Sequence, residues 1–251
     1  MVQRTILYCN IRQLVDFSLP KIPADQEEMI KLVAFDWNGT LIADGQTVVD
    51  CCNIELKKAY GVKQNIDLKT YREIFDVPVN QFFLDLGLDS KLVGQNSKKA
   101  AEIFHQAYEK KVNKCRTRKN VKKILIWLQK NQIQSVIVSN HAAKRIKEQL
   151  YRLKIDNYIN YIFGNDHFSI VYSTTGKEKM LIKHLAKNKI RPHEVLLIGD
   201  AVEDIKIGKE MGTITAALTN GHCSTTRLRA TKPDYLINNL SEIEKILKLN
   251  A

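Results

Sequence analysis

Short apolar runs alternate with longer amphipathic stretches along most of this chain. Ile30 to Phe35 reads as a first core strand, because its apolar positions are nearly continuous, as in a strand buried on both faces. From about Asp44 to Lys119 the pattern turns helical and offers no long strand. Ala100, Ala101, Ile103, Phe104, Ala107, Tyr108 and Val112 keep the three–four spacing of an amphipathic helix. Pro78 interrupts that region, and Gly87 and Gly94 mark turns within it. Alternation then resumes. Helices are predicted over 121–128, 142–153, 177–188 and 202–211, and strands over 135–138, 161–163, 195–198, 214–218 and 235–237. Gly212 suits a left-handed helix end. A last helix is predicted with Ser241 as its cap and Glu244 three residues on.

Strands alternating with helices imply an α/β fold, a parallel sheet with helices on both faces. Residues 30–43 and 120–251 would form that core. Residues 44–119 would be an inserted helical domain, and 1–29 a leader without clear periodicity, holding Pro20 and Pro23.

Two apolar runs end abruptly in acids. Val33-Ala34-Phe35 leads into Asp36, and Leu197-Ile198-Gly199 into Asp200, with Asp204 four residues on. Open α/β sheets build their sites at the carboxyl ends of strands, so two such acids far apart in sequence point to one metal-binding and nucleophilic centre. Between them, Val136-Ile137-Val138 ends in Ser139, and Lys177 follows Gly176 at a helix start. The order along the chain is an acid, a hydroxyl, a lysine and an Asp-x-x-x-Asp pair.

This order resembles the haloacid dehalogenase-like hydrolase superfamily. Its first motif, of the form Asp-x-Asp-Gly-Thr, stands here as Asp36-Trp37-Asn38-Gly39-Thr40. Ser139 matches the second, Lys177 the third, and Gly199, Asp200 and Asp204 the fourth. The helical insert, with its segment from Tyr71 to Pro78, is similar to the cap of the phosphoglycolate-phosphatase-like branch. The resemblance implies a Rossmann-like doubly wound core with an inserted α-helical cap. It also implies a Mg²⁺-dependent phosphatase acting on a small phosphorylated metabolite through an aspartyl-phosphate. Asp36 would be the nucleophile. Mg²⁺ would be held by Asp36, Asp200, Asp204 and the backbone carbonyl of Asn38. Ser139, Asn140 and Lys177 would hold the phosphoryl group, with backbone N–H groups near Trp37, Asn38 and Asn140. Arg72 is a candidate for the substrate's non-phosphate end. A shifted alignment puts Lys179 in the lysine slot.

Asn38 departs from the pattern, because the family's phosphatases usually carry Asp there as general acid and base. Asn has no ionisable proton near neutral pH. One reading is a phosphatase whose proton is handled by Asp44, His141 or metal-bound water. A second is a catalytically weakened member that binds a phosphorylated ligand or a protein. A third is another reaction of the superfamily, such as phosphonate cleavage through a cap lysine (Lys57, Lys58 or Lys63).

Composition changes this picture little. The 251 residues carry a net charge of +12, with Lys and Arg spread along the chain. That spread reads chiefly as solvated helix faces, with an anionic partner as the second reading. The densest basic stretch, Lys110 to Lys123, lacks the interleaved aromatics of a single-strand binding face, so no nucleic-acid partner is expected. No apolar run approaches a membrane span, and no signal peptide is expected. Five scattered cysteines without metal spacing fit a reducing, cytoplasmic setting.

Overall fold

The computed structural model describes residues 29–165 and 178–249. Six strands form one wholly parallel sheet: β1 (Leu32–Phe35), β2 (Gln134–Ala142), β3 (Tyr161–Asn165), β4 (Val195–Gly199), β5 (Ile214–Leu218) and β6 (Tyr235–Ile237). Their spatial order is β3-β2-β1-β4-β5-β6. The chain winds outward from β1 to β3, then returns to the other side of β1 at β4. The strand order therefore reverses between β1 and β4, and a crevice opens at their carboxyl ends. Asp36 and Asp200 follow those two strands directly.

Alternation in β1 shows why the sheet is covered on both faces. Val33 and Phe35 point into the larger core with Ile124, Leu125 and Leu128 of α5 (Val121–Lys130), Ile146 and Leu150 of α6 (Ala143–Leu153), and Ile243 and Ile246 of α10 (Ile243–Leu249). Leu32 and Ala34 point the other way, against Leu181 and Leu185 of α7 (Glu178–Asn188) and Ile207 of α8 (Val202–Met211). A short helix, α9 (Thr225–Ala230), packs Leu228 near Ala217 of β5. A period-two strand buried on both sides is what a parallel sheet requires.

Between β1 and β2 the described chain is helical: α1 (Gly45–Tyr60), α2 (Leu68–Ile74), α3 (Val79–Asp85) and α4 (Ser90–Lys111). Isolated bridges, Asn38 to Ile42 and Ile42 to Thr117, tie the two ends of this stretch together where it leaves and rejoins the sheet. Asp67 and Asp89 cap α2 and α4 by accepting from the Thr70 and Leu92 N–H groups, at 2.7 and 2.9 Å.

Several expectations are corrected. Gly94 lies inside α4 rather than at a turn, because the flanking apolar spacing carries the helix through it. Strand β2 runs on to Ala142, past Val138, with a register irregularity against β3. The final helical segment starts earlier than Ser241. Asn239 is its cap, its Oδ1 accepting from the Ser241 N–H at 3.0 Å, while Glu242 Oε1 accepts from the Asn239 N–H at 2.9 Å. Glu244 pairs instead with Lys248 at 2.8 Å. The expected leader at 1–29 lies almost wholly outside the described residues.

This cap is directly testable. Asn239→Ala should lower stability by about 1 kcal/mol, whereas Ser241→Ala, whose hydroxyl is not the cap, should cost less than about 0.5 kcal/mol. Urea denaturation of both variants checks this, and equal losses would contradict the assignment.

Candidate active site

Asp36 is aligned by its own backbone, whose N–H donates to the Ile198 carbonyl at 2.9 Å and so extends the β1–β4 ladder by one residue. The chain then turns sharply. Gly39 has φ +74, and a Cβ there would lie 2.2 Å from Asp200 Oδ2. Gly221 is equally tight, since a Cβ there would lie 2.1 Å from the same oxygen. Both glycines are needed to let backbone close around the Asp200 carboxylate. That carboxylate accepts from Thr40 Oγ1 at 2.5 Å and from the His222 N–H at 2.6 Å. Asp204 caps its helix, accepting from the Ala201 N–H at 3.0 Å.

Asp36, Asp200 and Asp204 converge, with one carboxylate oxygen from each lying within 4.8 Å of the others. Asp200 and Asp204 are buried. Burial drives the Asp200 carboxyl above its ordinary range. Nearby His222 counters that rise and Asp204 adds to it. Three acids at this spacing on a dry sheet edge repel one another unless a cation joins them. The donor set is all oxygen, which fits a hard divalent ion such as Mg²⁺.

Asn38 does not point its amide into this cluster. Its Nδ2 donates to Asp44 Oδ2 at 2.7 Å and to the Tyr108 hydroxyl at 2.8 Å. Tyr108 in turn donates to Asp44 Oδ2 at 2.7 Å, the Gly39 N–H donates to Asp44 Oδ1 at 2.8 Å, and His222 Nε2 lies 3.2 Å from that oxygen. Burial works against charge on Asp44, but His222, Tyr108 and Asn38 together outweigh it and hold its carboxyl below the ordinary value. Burial likewise works against a charged His222, yet the Asp44 carboxylate overcomes it and pushes the imidazole up to about 9. Asp44 and His222 therefore form a buried ion pair beneath the first loop.

Ser139 is buried, and its Oγ accepts from the His141 N–H at 3.2 Å. The Asn140 side chain donates to Glu203 Oε2 at 2.8 Å, and its carbonyl accepts from Asn165 Nδ2 at 2.9 Å. Both Ser139 and Asn140 border the same cavity as Asp36, Asn38, Asp200 and Asp204. Lys177 lies outside the described residues, and Lys179 is exposed on α7. Trp37 is fully buried, its indole donating to Gln149 of α6 at 2.7 Å.

Arg72 is a correction. Its Nε donates to the Gly221 carbonyl at 2.8 Å and an Nη to the Asn220 carbonyl at 2.9 Å. The guanidinium clamps α2 to the loop after β5 and does not border the cavity. The helical spacing that placed Arg72 on α2 could not show which loop its long side chain would meet. Arg118, read only as part of a basic run, has a similar bridging role. It donates at 2.7 Å to both the Gly39 and the Thr219 carbonyls. Tyr108 and His222 carried no motif signal, because their partners come from distant segments.

A family model described as haloacid dehalogenase-like hydrolase matches residues 33–218. The chain belongs to this family. The match spans Asp36, Ser139, Asp200 and Asp204. A phosphoglycolate phosphatase from Vibrio vulnificus is 24% identical over 230 residues, covering 90% of this chain and 99% of that protein. A haloacid dehalogenase-like family hydrolase from Streptococcus pneumoniae superposes with a TM-score of 0.71 at 20% identity, covering 86% of this chain and 98% of the other. A HAD-superfamily hydrolase from Geobacter sulfurreducens gives a TM-score of 0.57 at 16% identity, covering 90% of this chain and all of the other (100%). These two structural likenesses speak for the fold. No described helix of this hydrolase is long and apolar enough to cross a membrane.

The Asp44–His222 pair predicts a pH dependence of stability. The folded value of His222 is raised to about 9 from an ordinary 6.5. Its stabilisation is then fully present below about pH 6.5 and is lost as pH rises through about 9. In EDTA, chemical denaturation should show wild-type stability falling relative to His222→Gln across that window. Parallel curves for the two proteins would rule the charged pair out.

Proposed function

We propose that this hydrolase is a Mg²⁺-dependent phosphatase of a small phosphorylated metabolite, with Asp36 as nucleophile and residues 44–119 as its cap. The convergence of Asp36, Asp200 and Asp204 at the carboxyl ends of β1 and β4 carries the reading. Asp36 attacks phosphorus, the P–O bond to the alcohol breaks, and an aspartyl-phosphate forms that water then cleaves. Asp36, Asp200, Asp204 and the Asn38 carbonyl would hold Mg²⁺, which supplies charge neutralisation between the carboxylates and the phosphoryl oxygens. Ser139 would donate its hydroxyl to a phosphoryl oxygen. The Asn140 backbone N–H, with its side chain fixed on Glu203, would add a second donor. Lys177 would neutralise further charge. Four described cysteines, Cys51, Cys52, Cys115 and Cys223, are free and buried, which supports a reducing, cytoplasmic setting.

The proton is the open step in this chemistry, and the geometry narrows it. Both amide hydrogens of Asn38 are used on Asp44 and Tyr108, leaving Oδ1 as an acceptor that can orient a hydroxyl or a water but not protonate one. Burial pushes His141, the nearest imidazole after Ser139, down to about 4, so it is neutral at pH 7. His222, charged beside the same cavity, is held on Asp44, so departure of the alcohol is poorly assisted. A weakened, ligand-binding member is the second reading, favoured by the same amide geometry.

Phosphate release over a panel of phosphorylated metabolites tests the proposal. Activity should require Mg²⁺, and Asp36→Asn should lower kcat by at least about a thousandfold. Acid-quenched turnover should leave phosphate on the peptide containing Asp36. A wild type that releases no phosphate, or an Asp36→Asn variant that still does, would defeat it. Weak protonation makes a second prediction: across substituted phenyl phosphates, kcat/KM should rise steeply as the leaving phenol becomes more acidic. A flat dependence would show that a general acid acts after all.

A further inference from the structure

The carboxylates and the inserted helices border one cavity of about 130 Å³, acidic at the sheet edge and apolar at its far wall. The far wall here is apolar and aromatic, built from Val48, Phe75, Val79, Phe82 and Phe104. Tyr71 belongs to it as well. Its ring stacks on Phe75 at 4.8 Å between centroids and meets Phe82 edge-on at 5.5 Å.

The Tyr71 hydroxyl and His141 Nε2, both in this lining, are buried without a hydrogen-bond partner. Buried polar groups are seldom left unpaired, so each such atom beside a cavity points to a ligand that completes it. Tyr71 is fully buried and comes from α2, while His141 comes from the end of β2. The two observations are therefore independent in sequence and in local structure.

Charge decides which ligand. Among the described residues that line the cavity there is no lysine and no arginine, while Glu55 and Glu203 are both present. Arg72, the cation expected to meet the substrate's far end, is spent on the Asn220 and Gly221 carbonyls. His222, the charged imidazole that borders the cavity, is already paired with Asp44, so a carboxylate entering this wall would meet aromatic rings and two acids with no unpaired described cation to receive it.

Resting on the phosphatase reading, we infer that the substrate is the phosphate monoester of an uncharged apolar alcohol, aromatic or aliphatic, with a hydroxyl or carbonyl met by Tyr71 or His141. A short carboxylate-bearing phosphate such as phosphoglycolate does not fit this description. The phosphoryl group would lie against Asp36, Ser139 and the acids. The apolar body would lie along the Phe82 and Phe104 side.

Matched esters test this, because benzyl phosphate and 4-carboxybenzyl phosphate share an alcohol of similar reactivity and differ in one charge. With Mg²⁺, kcat/KM for benzyl phosphate should exceed that for 4-carboxybenzyl phosphate and for 2-phosphoglycolate by at least about tenfold. A ring hydroxyl, as in 3-hydroxybenzyl phosphate, should lower KM in wild type and not in Tyr71→Phe. Equal or greater activity on the carboxylated esters would overturn the inference and leave the phosphatase reading standing. No gain from the ring hydroxyl would overturn the part given to Tyr71 and His141. If no ester is turned over, the phosphatase reading falls, and binding of benzylphosphonate against 3-phosphonopropionate by calorimetry decides the pocket alone. Tighter benzylphosphonate supports the inference, and the reverse order defeats it.

Discussion

Three carboxylates held within 4.8 Å of one another at a buried sheet edge are the constraint on which the rest of this structure depends. Like charges so close, in a medium of low effective dielectric, repel strongly. The fold answers with the charged His222 imidazole nearby and with backbone and hydroxyl donors on the carboxylates themselves. Thr40 and the His222 N–H both donate to Asp200, and the Ala201 N–H donates to Asp204. Such donors reach a carboxylate only where the main chain passes very near it. That is why Gly39 and Gly221 flank Asp200, and why a Cβ at Gly199 would lie 2.1 Å from the Asp204 carboxyl carbon. A site built this way gathers negative charge that a divalent cation can balance.

The same logic accounts for Asn38. An aspartate in its place would set a second carboxylate 2.7 Å from Asp44 Oδ2, where the amide now donates. Asp44 already accepts from Gly39, Tyr108 and Asn38 and pairs with His222, so it needs donors around it and not another acceptor. Asn38 is thus the neutral donor suited to a pocket whose charge is balanced between Asp44 and His222. The departure from the family's usual aspartate is coupled to the neighbours of the first loop. It is not an isolated loss at an otherwise ordinary site.

Much of the sheet was legible in the sequence. Continuous apolar runs mark strands buried on both faces, and the acid that ends such a run marks the place where the strand leaves the core. Asp36 and Asp200 could be found in this way because each directly follows a strand of the parallel sheet, with Asp204 one turn beyond, whereas Ser139 lies inside β2, three residues before its end. The side chains that surround them could not. Tyr108 lies on an amphipathic helix whose pattern is satisfied by burial alone, and His222 lies in a loop with no periodicity. Their meeting with Asp44 is a property of how the helices fold back, over separations of 64 and 178 residues. Arg72 shows the converse error. A cation on an inserted helix looked free to meet a substrate, but a long flexible side chain beside unsatisfied carbonyls is drawn to them first. The capping residue of the last helical segment was misplaced by two positions, because Asn239 and Ser241 are both good caps and only backbone geometry chooses between them.

The inserted helices are joined to the sheet by these long-reaching polar contacts at one corner. Arg72 reaches the Asn220 and Gly221 carbonyls, the Arg72 carbonyl accepts from the Ser224 N–H at 3.0 Å, and Arg227 reaches the Phe75 carbonyl and Asp76. Gly221 and His222 in that corner are also the residues packed against Asp200. One loop therefore carries both the latch to the inserted helices and part of the carboxylate's support. The loop that α2 grips through Arg72 is thus the loop whose backbone holds Asp200. The apolar wall and the support of the Asp200 carboxylate therefore share one loop as their anchor. That coupling is a physical reason for cations of the inserted helices to be spent on the loop rather than offered to the ligand.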